Sequence, residues 1–551
     1  MSKHIFITGG VASGIGKGIT AASLGRLLKS RGVKVAVQKL DPYLNADPGL
    51  LNPLEHGEVF VLDDGSEADL DLGHYERFVD ENLTEYSTTT SGKVYGNLLN
   101  SEKSGKYNGM TIQVIPHVTN ETKQIVYDCA ENAKVDVLIT EIGGTVGDLE
   151  SQAFIEAVRQ ISIEKPHDCL FVHVVLVPHL RLSNEFKTKP TQHSVKTLMS
   201  MGIRPDIIVT RSHAPMDSGA VDKISKFCYV EKDCVIQNYD ASHLYEVPLV
   251  LHRGGLDEVV VKKLGLKCNK ADLKEWQAVL DNIHAQQGEI KIALVGKYVD
   301  LQDSYLSEVE ALAHASYAVG KRVSIKWVDS YKLDDETVDK LLGDCDGIFV
   351  PGAFGQRGID GLMMAAKYAR THNIPYFGLG MGMQVAAIDY ARNICNIKDA
   401  TSTELDENTS TPLINICDGK DVRTKDGSMR IGAYDINLNK GSIISTLYNN
   451  SGNNNSVNIN NGNNKNENNN NNAVISERHR NRYELNAKIA EQLVQQGLKI
   501  GSTSVEGDLI ESIELEDHKF YLGVQFQPQF KSRPNRAHPL FLGFLKACVA
   551  K

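Results

Sequence analysis

The stretch that follows the first apolar run of the chain reads Thr8-Gly-Gly-Val-Ala-Ser-Gly-Ile-Gly-Lys-Gly-Ile19. The apolar run, Ile5-Phe-Ile-Thr8, predicts a buried strand, and the Ala-, Leu- and Lys-rich residues after the stretch predict a helix. Glycines let backbone N–H groups close around phosphate oxygens, and Lys17 can bridge the outer phosphates. A glycine-rich turn that only packs a helix on a sheet is the alternative, but such a turn does not need a lysine. A strand, a phosphate loop and a helix in this order favour an α/β fold.

The rest of the chain predicts two such domains. Short Val- and Ile-rich runs alternate with amphipathic stretches up to about residue 264, and the alternation restarts at Ile290. We therefore expect one domain over 1–266, a linker over 267–288 and a second domain over 289–551. An Asn-dominated tract at 449–472 has almost no apolar residue to offset its ordering entropy, which predicts a disordered insertion within the second domain.

Composition excludes several classes of protein. The 551 residues are 41% hydrophobic and carry a net charge of −10, without a Lys/Arg-rich block or an apolar run of spanning length. We expect neither a general nucleic-acid binder nor a membrane protein. The N-terminus enters a strand at once, and the nine cysteines form no CxxC pair, so we expect a cytoplasmic protein with reduced thiols.

Two carboxylates could complete a phosphate site. Glu141 follows the predicted strand 135–139, at the end where open α/β sheets bind ligands. Asp71 lies in the polar cluster 69–77, where it could be merely solvated. Mg²⁺ is usually held by one or two carboxylates plus phosphate oxygens, so the pair predicts a magnesium site beside the loop. The basic segment 187–193 could bind a second triphosphate, or it could be solvated surface.

The second half of the chain has the frame of a nucleophilic site without its reactive groups. Ile374-Pro-Tyr-Phe-Gly-Leu-Gly-Met-Gly-Met-Gln384 predicts a strand, a sharp turn and a helix, which is how a nucleophile elbow is built. Gly380 stands at its tip. The segment Val524–Phe530 has the shape that would supply a histidine and a carboxylate, but it carries Gln527 and Gln529. An amide can neither form a thiolate nor act as its base.

Long motifs in order make the chain resemble the CTP synthase family over essentially its whole length, apart from the Asn-rich tract. The matching segments are Gly9–Gly18, Lys39–Tyr43, Glu55–Phe60, Asp69–Arg77, Glu141–Asp148 and Lys187–Gln192. The resemblance implies an N-terminal P-loop-like parallel-sheet synthetase domain and a C-terminal class I amidotransferase-like α/β domain. It also implies a ligase that uses ATP to phosphorylate UTP at O4 and ammonia to displace the phosphate, giving CTP.

The resemblance further implies roles for individual residues, Mg²⁺ as cofactor and GTP as an activator of glutamine hydrolysis. Lys17 and Lys39 would stabilise the moving phosphoryl group, and Asp71 and Glu141 would bind Mg²⁺. Family members are typically homotetramers, some of which stack into filaments. The implied nucleotide contacts are Gly14, Ile15, Gly16, Lys17, Gly18, Ile19 and Asp71 for ATP; Ser13, Lys187, Thr188, Lys189, Pro190, Thr191, Gln192 and Lys223 for UTP; and Asp148, Leu149 and Glu150 for CTP as feedback inhibitor.

The departures from the family all lie in the second half. The family has Cys, His and Glu where this chain has Gly380, Gln527 and Gln529, and Ala353 replaces an oxyanion-hole glycine. Other glutamine-site positions match the family: Gln384, Glu404 and Arg480. Four coordinated losses predict negligible glutaminase activity, since removing a triad elsewhere costs about 10⁶-fold in turnover.

Three readings of function follow. The first is a CTP synthase that uses ammonia, with a second domain that is a scaffold or receives ammonia from a separate glutaminase. The second is a non-catalytic paralogue that regulates an active enzyme by co-assembly, although Lys17, Lys39, Asp71 and Glu141 all remain. The third is a glutamine-hydrolysing enzyme with an unrecognised nucleophile. Cys395 is the nearest thiol in sequence, about 20 Å along a continuous helix.

Overall fold

The computed structural model describes residues 2–180, 182, 185–416, 429–450 and 473–550. This chain divides into two compact units, one of residues 1–51 and 68–280 and the other of residues 52–67 and 281–551. The segment 52–67, which the sequence places in the first domain, therefore groups with the second unit. Of the Asn-rich tract expected at 449–472, Asn449 and Asn450 end a helix, and 451–472 lie outside the described residues.

Strands and helices alternate along most of the chain. The strands are β1 (Lys3–Gly10), β2 (Val35–Asp41), β3 (Phe60–Val61), β4 (Glu67–Ala68), β5 (Thr88–Thr90), β6 (Val137–Ile142), β7 (Cys169–Leu176), β8 (His179–Leu180), β9 (Glu185–Phe186), β10 (Ile207–Ser212), β11 (Val235–Tyr239), β12 (Glu289–Gly296), β13 (Arg322–Asp329), β14 (Gly347–Val350), β15 (Tyr376–Leu379), β16 (Thr401–Ser402), β17 (Pro412–Ile416), β18 (Arg430–Leu438), β19 (Val474–Asn481), β20 (Tyr483–Leu485), β21 (Lys499–Ser504), β22 (Ile510–Glu514) and β23 (Tyr521–Val524). The helices are α1 (Lys17–Ser30), α2 (Pro53–His56), α3 (Asp71–Val79), α4 (Ser91–Lys103), α5 (Thr119–Ala133), α6 (Gln152–Glu164), α7 (Lys189–Ser200), α8 (Ser218–Cys228), α9 (Val247–Arg253), α10 (Leu256–Leu264), α11 (Lys274–His284), α12 (Leu306–Val319), α13 (Val338–Leu342), α14 (Ile359–His372), α15 (Met381–Asn393), α16 (Ile443–Asn450), α17 (Ala487–Gln495) and α18 (Pro539–Val549). No helix in the described ranges has both the length and the apolar character that crossing a membrane requires.

The first unit is built on a seven-stranded sheet with the order β11-β10-β7-β1-β6-β2-β5. Every neighbouring pair in it runs parallel. Strands β2 and β6 are buried along their whole length, as expected when helices cover both faces of a parallel sheet. Because all seven strands point the same way, their carboxyl ends meet at one edge, where such sheets bind ligands.

The second unit is built on a nine-stranded mixed sheet. Strands β13-β12-β14-β15-β23 are parallel, and β22, β21, β18 and β19 continue the sheet in antiparallel fashion. Side chains alternate between its two faces: in β12, Ala293 and Val295 pack into one core and Ile292 and Leu294 into the other. The predicted α/β fold of both halves is confirmed.

Segment 52–67 is held to the rest of the second unit by polar and aromatic contacts. The Glu58 carboxylate accepts hydrogen bonds from the N–H (2.8 Å) and the hydroxyl (2.6 Å) of Ser307, in the first turn of α12. It thereby satisfies a helix N–H that has no partner within the helix. Arg478 Nε lies 2.6 Å from Asp63 Oδ1, and the ring of Phe60 meets that of Phe530 edge-on. Residues more than 200 positions apart therefore form one body.

Two glycines bring α15 close to the sheet. A Cβ on Gly382 would lie 2.3 Å from the carbonyl oxygen of Val350 in β14. A Cβ on Gly378 would lie 2.6 Å from the carbonyl carbon of Gly382. The elbow between β15 and α15 therefore depends on backbone-to-backbone packing that no side chain can replace.

We expect Gly382→Ala to destabilise the second unit by about 1–3 kcal/mol, because the added methyl group collides with backbone that cannot move independently. Gly96→Ala is the matched control, since Gly96 lies within α4 and a methyl group added there would meet no atom within 4 Å. This control should gain about 0.5–1 kcal/mol. Thermal unfolding followed by circular dichroism measures both, and an unchanged melting temperature for Gly382→Ala would contradict the packing argument.

Candidate active site

The loop between β1 and α1 has the backbone of an anion-binding turn. Gly14 and Gly16 adopt positive φ angles of 67° and 87°, and Gly16 immediately precedes the first residue of α1. Val11 also has a positive φ, 83°, which is costly for a β-branched residue. Such strain collects where a loop is shaped for a ligand. The loop therefore presents backbone N–H groups and a helix N-terminus at the carboxyl edge of the sheet.

Lys17 joins this loop to the one that follows β6. Its ammonium donates to the carbonyl oxygen of Gly144 at 2.8 Å, and Val146 N–H donates to the carbonyl oxygen of Gly9 at 2.8 Å. Its aliphatic stem covers Gly9, where a Cβ would lie 2.5 Å from Lys17 Cδ. The predicted phosphate lysine is thus placed across the mouth of the loop.

Lys39 lies near the carboxyl end of β2, buried among carboxylates. Its ammonium contacts Asp71, lies 3.0 Å from Asp69 Oδ1 and lies 3.3 Å from Asp41 Oδ1. Glu141 is paired in register with Lys39 on the neighbouring strand. It lies inside β6, which runs to Ile142, and not beyond the strand end as the sequence predicted.

Burial, and after it the neighbouring charges, shift the pKa values of these acids. Burial raises the pKa of Asp41 to about 7, although Lys39 opposes the shift. Burial and the Asp71 carboxylate together raise the pKa of Glu141 above its ordinary value. For Asp71, burial is the largest effect and acts upward, but the Lys39 ammonium together with His74 and Lys17 lowers the pKa. One lysine does not neutralise all the surrounding carboxylates, so the cluster favours a further cation.

Asp71 and Glu141 meet at the start of α1. A Cβ on Gly18 would lie 2.5 Å from Asp71 Oδ1 and 3.3 Å from Glu141 Oε2, so both carboxylates border one point beside the loop. Tyr75 donates its hydroxyl to Glu141. The described residues contain no group of three or more His, Cys, Asp and Glu side chains that could hold a metal ion by themselves. Two hard oxygen donors beside a phosphate loop nevertheless fit Mg²⁺, which takes its remaining ligands from phosphate and water.

The segment predicted to bind a second nucleotide forms the start of α7. Thr188 precedes the helix, Lys189–Gln192 form its first turn, and Gln192 Nε2 donates to Thr188 Oγ1 at 3.0 Å. Lys223 is exposed on α8. Asp148, Leu149 and Glu150 are exposed on the loop after β6. The structure therefore brings the loop residues, Lys39, Asp71 and Glu141 together, whereas 148–150 and Lys223 stand on the surface.

In the second unit, Gly380 keeps the backbone of a nucleophile elbow. Its φ and ψ are 47° and −105°, and α15 begins at the next residue. A Cβ built on it would lie 3.1 Å from Gln527 Nε2. The tip of the turn and the amide of Gln527 are therefore adjacent.

The three side chains behind Gly380 form a chain of hydrogen bonds. Gln529 Nε2 donates to Gln527 Oε1 at 2.8 Å and to Glu308 Oε1 at 3.2 Å. Because Gln527 accepts through its oxygen, its NH₂ group faces Gly380. The chain therefore ends in a hydrogen-bond donor where a thiolate would need a proton acceptor.

Glu308, at the other end of these hydrogen bonds, has a raised pKa. Burial raises its pKa to about 8, and the neighbouring Glu58 carboxylate adds to the shift. Sequence reasoning assigned no role to either residue, although Glu58 lies in the matching segment Glu55–Phe60, because their partners lie some 220 to 250 positions away.

A cavity of about 110 Å³ lies against the elbow. Its lining includes Gly380, Ala353, Gln384, Glu404, Arg480, Gln525, Gln527 and Gln529. Glu404 accepts from the N–H of Gly355 at 2.6 Å, and Arg480 Nε lies 2.7 Å from Glu67 Oε1. Gln384 donates to the carbonyl oxygen of Tyr483 at 3.1 Å. Gln384, Glu404 and Arg480, which match the family at the sequence level, therefore border the same cavity as Gly380.

Comparisons with known proteins match the two halves of the chain to two family models. A family model described as CTP synthase N-terminus matches residues 3–266, and one described as glutamine amidotransferase class-I matches residues 300–547. CTP synthase of Clostridium acetobutylicum is 50% identical over 100% of this chain and 99% of its own length. CTP synthase of Clostridium kluyveri is 51% identical over 100% of this chain and 98% of its own length.

Among solved structures, the chain is similar to the glutaminase domain of Trypanosoma brucei CTPS with bound acivicin. The identity is 36%, the TM-score is 0.41, and the match covers 47% of this chain and 93% of that domain. The chain is about half identical to curated relatives over nearly the full length of both, and two family models match its two halves. This chain therefore belongs to the CTP synthase family.

Proposed function

We propose that this protein converts UTP to CTP with ATP and free ammonia, and that its second unit does not hydrolyse glutamine. The O4 oxygen of UTP takes the γ-phosphoryl group of ATP and releases ADP. Ammonia then adds at C4, phosphate leaves with the C4–O4 electron pair, and a proton is lost to solvent. The net reaction forms one carbon–nitrogen bond.

The charge arrangement of the first unit supports this chemistry. Lys17 spans the phosphate loop, and Lys39 lies in the carboxylate cluster beside it. Phosphoryl transfer needs positioned positive charge more than it needs covalent catalysis, so two fixed lysines suit it. Asp71 and Glu141 would hold Mg²⁺, which when bound neutralises phosphate charge.

The remaining nucleotide contacts rest on the family resemblance. We assign UTP to Ser13, Lys223 and the segment 187–192, and feedback binding of CTP to 148–150. The first turn of α7 supplies hydroxyl, amide and ammonium donors that suit a triphosphate. GTP as an effector and a homotetrameric assembly are part of the same proposal, and light scattering of the purified protein tests the assembly.

The observation that carries the ammonia dependence is the amide chain at Gly380. The elbow holds no side chain, and the nearest polar group, Gln527 Nε2, is a donor that cannot take a proton from a nucleophile. Ala353 adds a methyl group at the oxyanion side of the cavity. None of the described residues that line the cavity is a cysteine.

Cys395 does not replace the missing nucleophile. It lies beyond the far end of α15, whose 13 residues span about 20 Å from the elbow. Burial raises the pKa of its thiol, which disfavours the reactive thiolate. A regulatory role without catalysis is the second candidate function. The intact charge cluster of the first unit favours catalysis over it.

We expect CTP to form from UTP and ATP with ammonium, and not with glutamine, because the first unit has the charged groups and the second lacks the nucleophile. Chromatographic measurement of CTP with each nitrogen donor tests this. Lys17→Ala should reduce the ammonium rate at least about 10²-fold, since it removes positioned charge. Glutamate release from glutamine at the rate of ammonium-dependent amination would overturn the proposal, as would full activity of Lys17→Ala.

We expect Gly380→Cys alone to leave glutamine intact, because its thiol would face an amide donor and stay protonated. Gly380→Cys with Gln527→His adds the base and should exceed the single variant by about 10²–10⁴-fold in glutaminase rate. Gly380→Ser with Gln527→His is the matched control for the thiol. Adding Gln529→Glu and Ala353→Gly completes the family pattern. Equal glutamate release by the single and double variants would show that Gln527 is not the base position.

We expect Glu308→Gln to remove a pH dependence of stability. The folded pKa of Glu308, about 8, exceeds its ordinary 4.5, so the folded state binds more protons and wild-type stability falls as pH rises between these values. The amide cannot ionise and keeps the bond to Gln529, so the variant should melt a few degrees above wild type at pH 8 and equally at pH 4.5. Thermal unfolding across this range measures it. A wild-type curve that rises towards pH 8 in parallel with the variant would contradict the assignment.

A further inference from the structure

A buried histidine links the phosphate loop to the start of α7. His173 lies in β7 and is paired in register with Thr8 of β1. Its Nδ1 lies 2.8 Å from Thr8 Oγ1, and its Nε2 lies 2.9 Å from Ser194 Oγ on α7. The ring is fully buried, so it reaches both hydroxyl groups but cannot touch a substrate.

The imidazole is neutral under all physiological conditions. Burial lowers the pKa of His173 to about 3, and the Lys17 ammonium adds to the shift. A neutral ring has one N–H donor and one acceptor nitrogen, so it bonds one hydroxyl as donor and the other as acceptor. The three side chains therefore form one directed chain of hydrogen bonds with no ionic character.

Glycines make the contact between the loop and α7 very close. A Cβ on Gly10 would lie 1.6 Å from Ser194 Oγ and 3.2 Å from His173 Nε2. Thr8 is thus hydrogen-bonded to His173. The stem of Lys17 covers Gly9, and Ser194 covers Gly10. Any shift of α7 must move the end of β1, where the phosphate loop begins.

We propose that His173 is a positioning residue, which fixes the distance between the ATP phosphate loop and the UTP-binding turn of α7 through Thr8 and Ser194. This inference rests on the proposed function for the identity of the two nucleotides. The transferred phosphoryl group must pass from one to the other, and misplacing reacting groups by about 1 Å can cost 10²-fold in rate.

The test is a double-mutant cycle on two residues that His173 separates. Thr8→Val and Ser194→Ala each remove one of the two hydrogen bonds of His173, and His173→Leu removes both. The measurements are kcat and KM for UTP in ammonium-dependent CTP formation, and the UTP dissociation constant in the presence of a non-hydrolysable ATP analogue. His4→Leu is the matched control, because His4 is also a buried, neutral histidine of this sheet but does not belong to the hydrogen-bonded series of Thr8, His173 and Ser194. His173→Gln restores one donor and one acceptor.

If the three hydrogen-bonded side chains act as a unit, each single variant lowers kcat/KM for UTP about 10- to 100-fold. The double variant Thr8→Val/Ser194→Ala then loses no more kcat/KM than His173→Leu. His173→Gln should recover part of the loss, and His4→Leu should retain wild-type kinetics. The inference would be overturned if the losses in kcat/KM of the two single variants multiply in the double variant. It would also be overturned if His4→Leu loses as much kcat/KM as His173→Leu.

The binding arm separates the two proposals. A wild type that binds UTP but makes no CTP would refute the amination reaction. The positioning role of His173 would then be tested by the UTP dissociation constants alone: it is supported if the losses in the double variant are less than multiplicative, and refuted if they multiply. A wild type that binds neither nucleotide would refute both. Because His173→Leu could lower stability, its melting temperature is measured beside that of His173→Gln, which keeps the polar contacts.

Discussion

The buried charge of Lys39 is the constraint on which the first unit depends. Its ammonium is surrounded by Asp41, Asp69 and Asp71, with Glu141 on the adjacent strand. Burying this many carboxylates is unfavourable unless cations neutralise them, which is why their pKa values move in opposite directions. The protein keeps this costly arrangement at the edge of the sheet where the phosphate loop also ends.

In the second unit, the turn at Gly380 joins β15 to α15 and borders a row of buried amide side chains. The elbow backbone at Gly380, the helix behind it and the cavity beside it are all formed. Hydrogen bonds through Gln527 and Gln529 connect the elbow to Glu308. The row is not fully paired, because Oε1 of Gln529 and Nε2 of Gln525, which both line the cavity, have no hydrogen-bond partner among the described groups. The elbow backbone depends on Gly378 and Gly382, which pack against the main chain whatever residue stands at 380.

Much of this could be predicted from sequence, for reasons that are local. The glycine-rich turn before α1, the strand–turn–helix at Gly380 and the α/β fold can be predicted because glycine spacing and apolar runs are short-range signals. Motif matches led to the correct family. The sequence predicts Glu141 just beyond the end of its strand, whereas it lies inside β6. The reason is that strand boundaries are not sharply encoded in the sequence. The grouping of 52–67 with the second unit was not predicted, because it depends on Glu58 and Asp63 meeting partners hundreds of residues away.

The sequence by itself determined which chemical groups the protein has: two lysines and two acids for phosphate chemistry, and no thiol at the elbow tip. Residue identity decides this, and no fold can supply a missing side chain. Only the tertiary structure decided which groups meet. That Glu308 ends the amide chain, and that His173 joins Thr8 to Ser194, depends on strand register and helix packing. Such contacts arise from the burial of whole surfaces, which no stretch of sequence encodes alone.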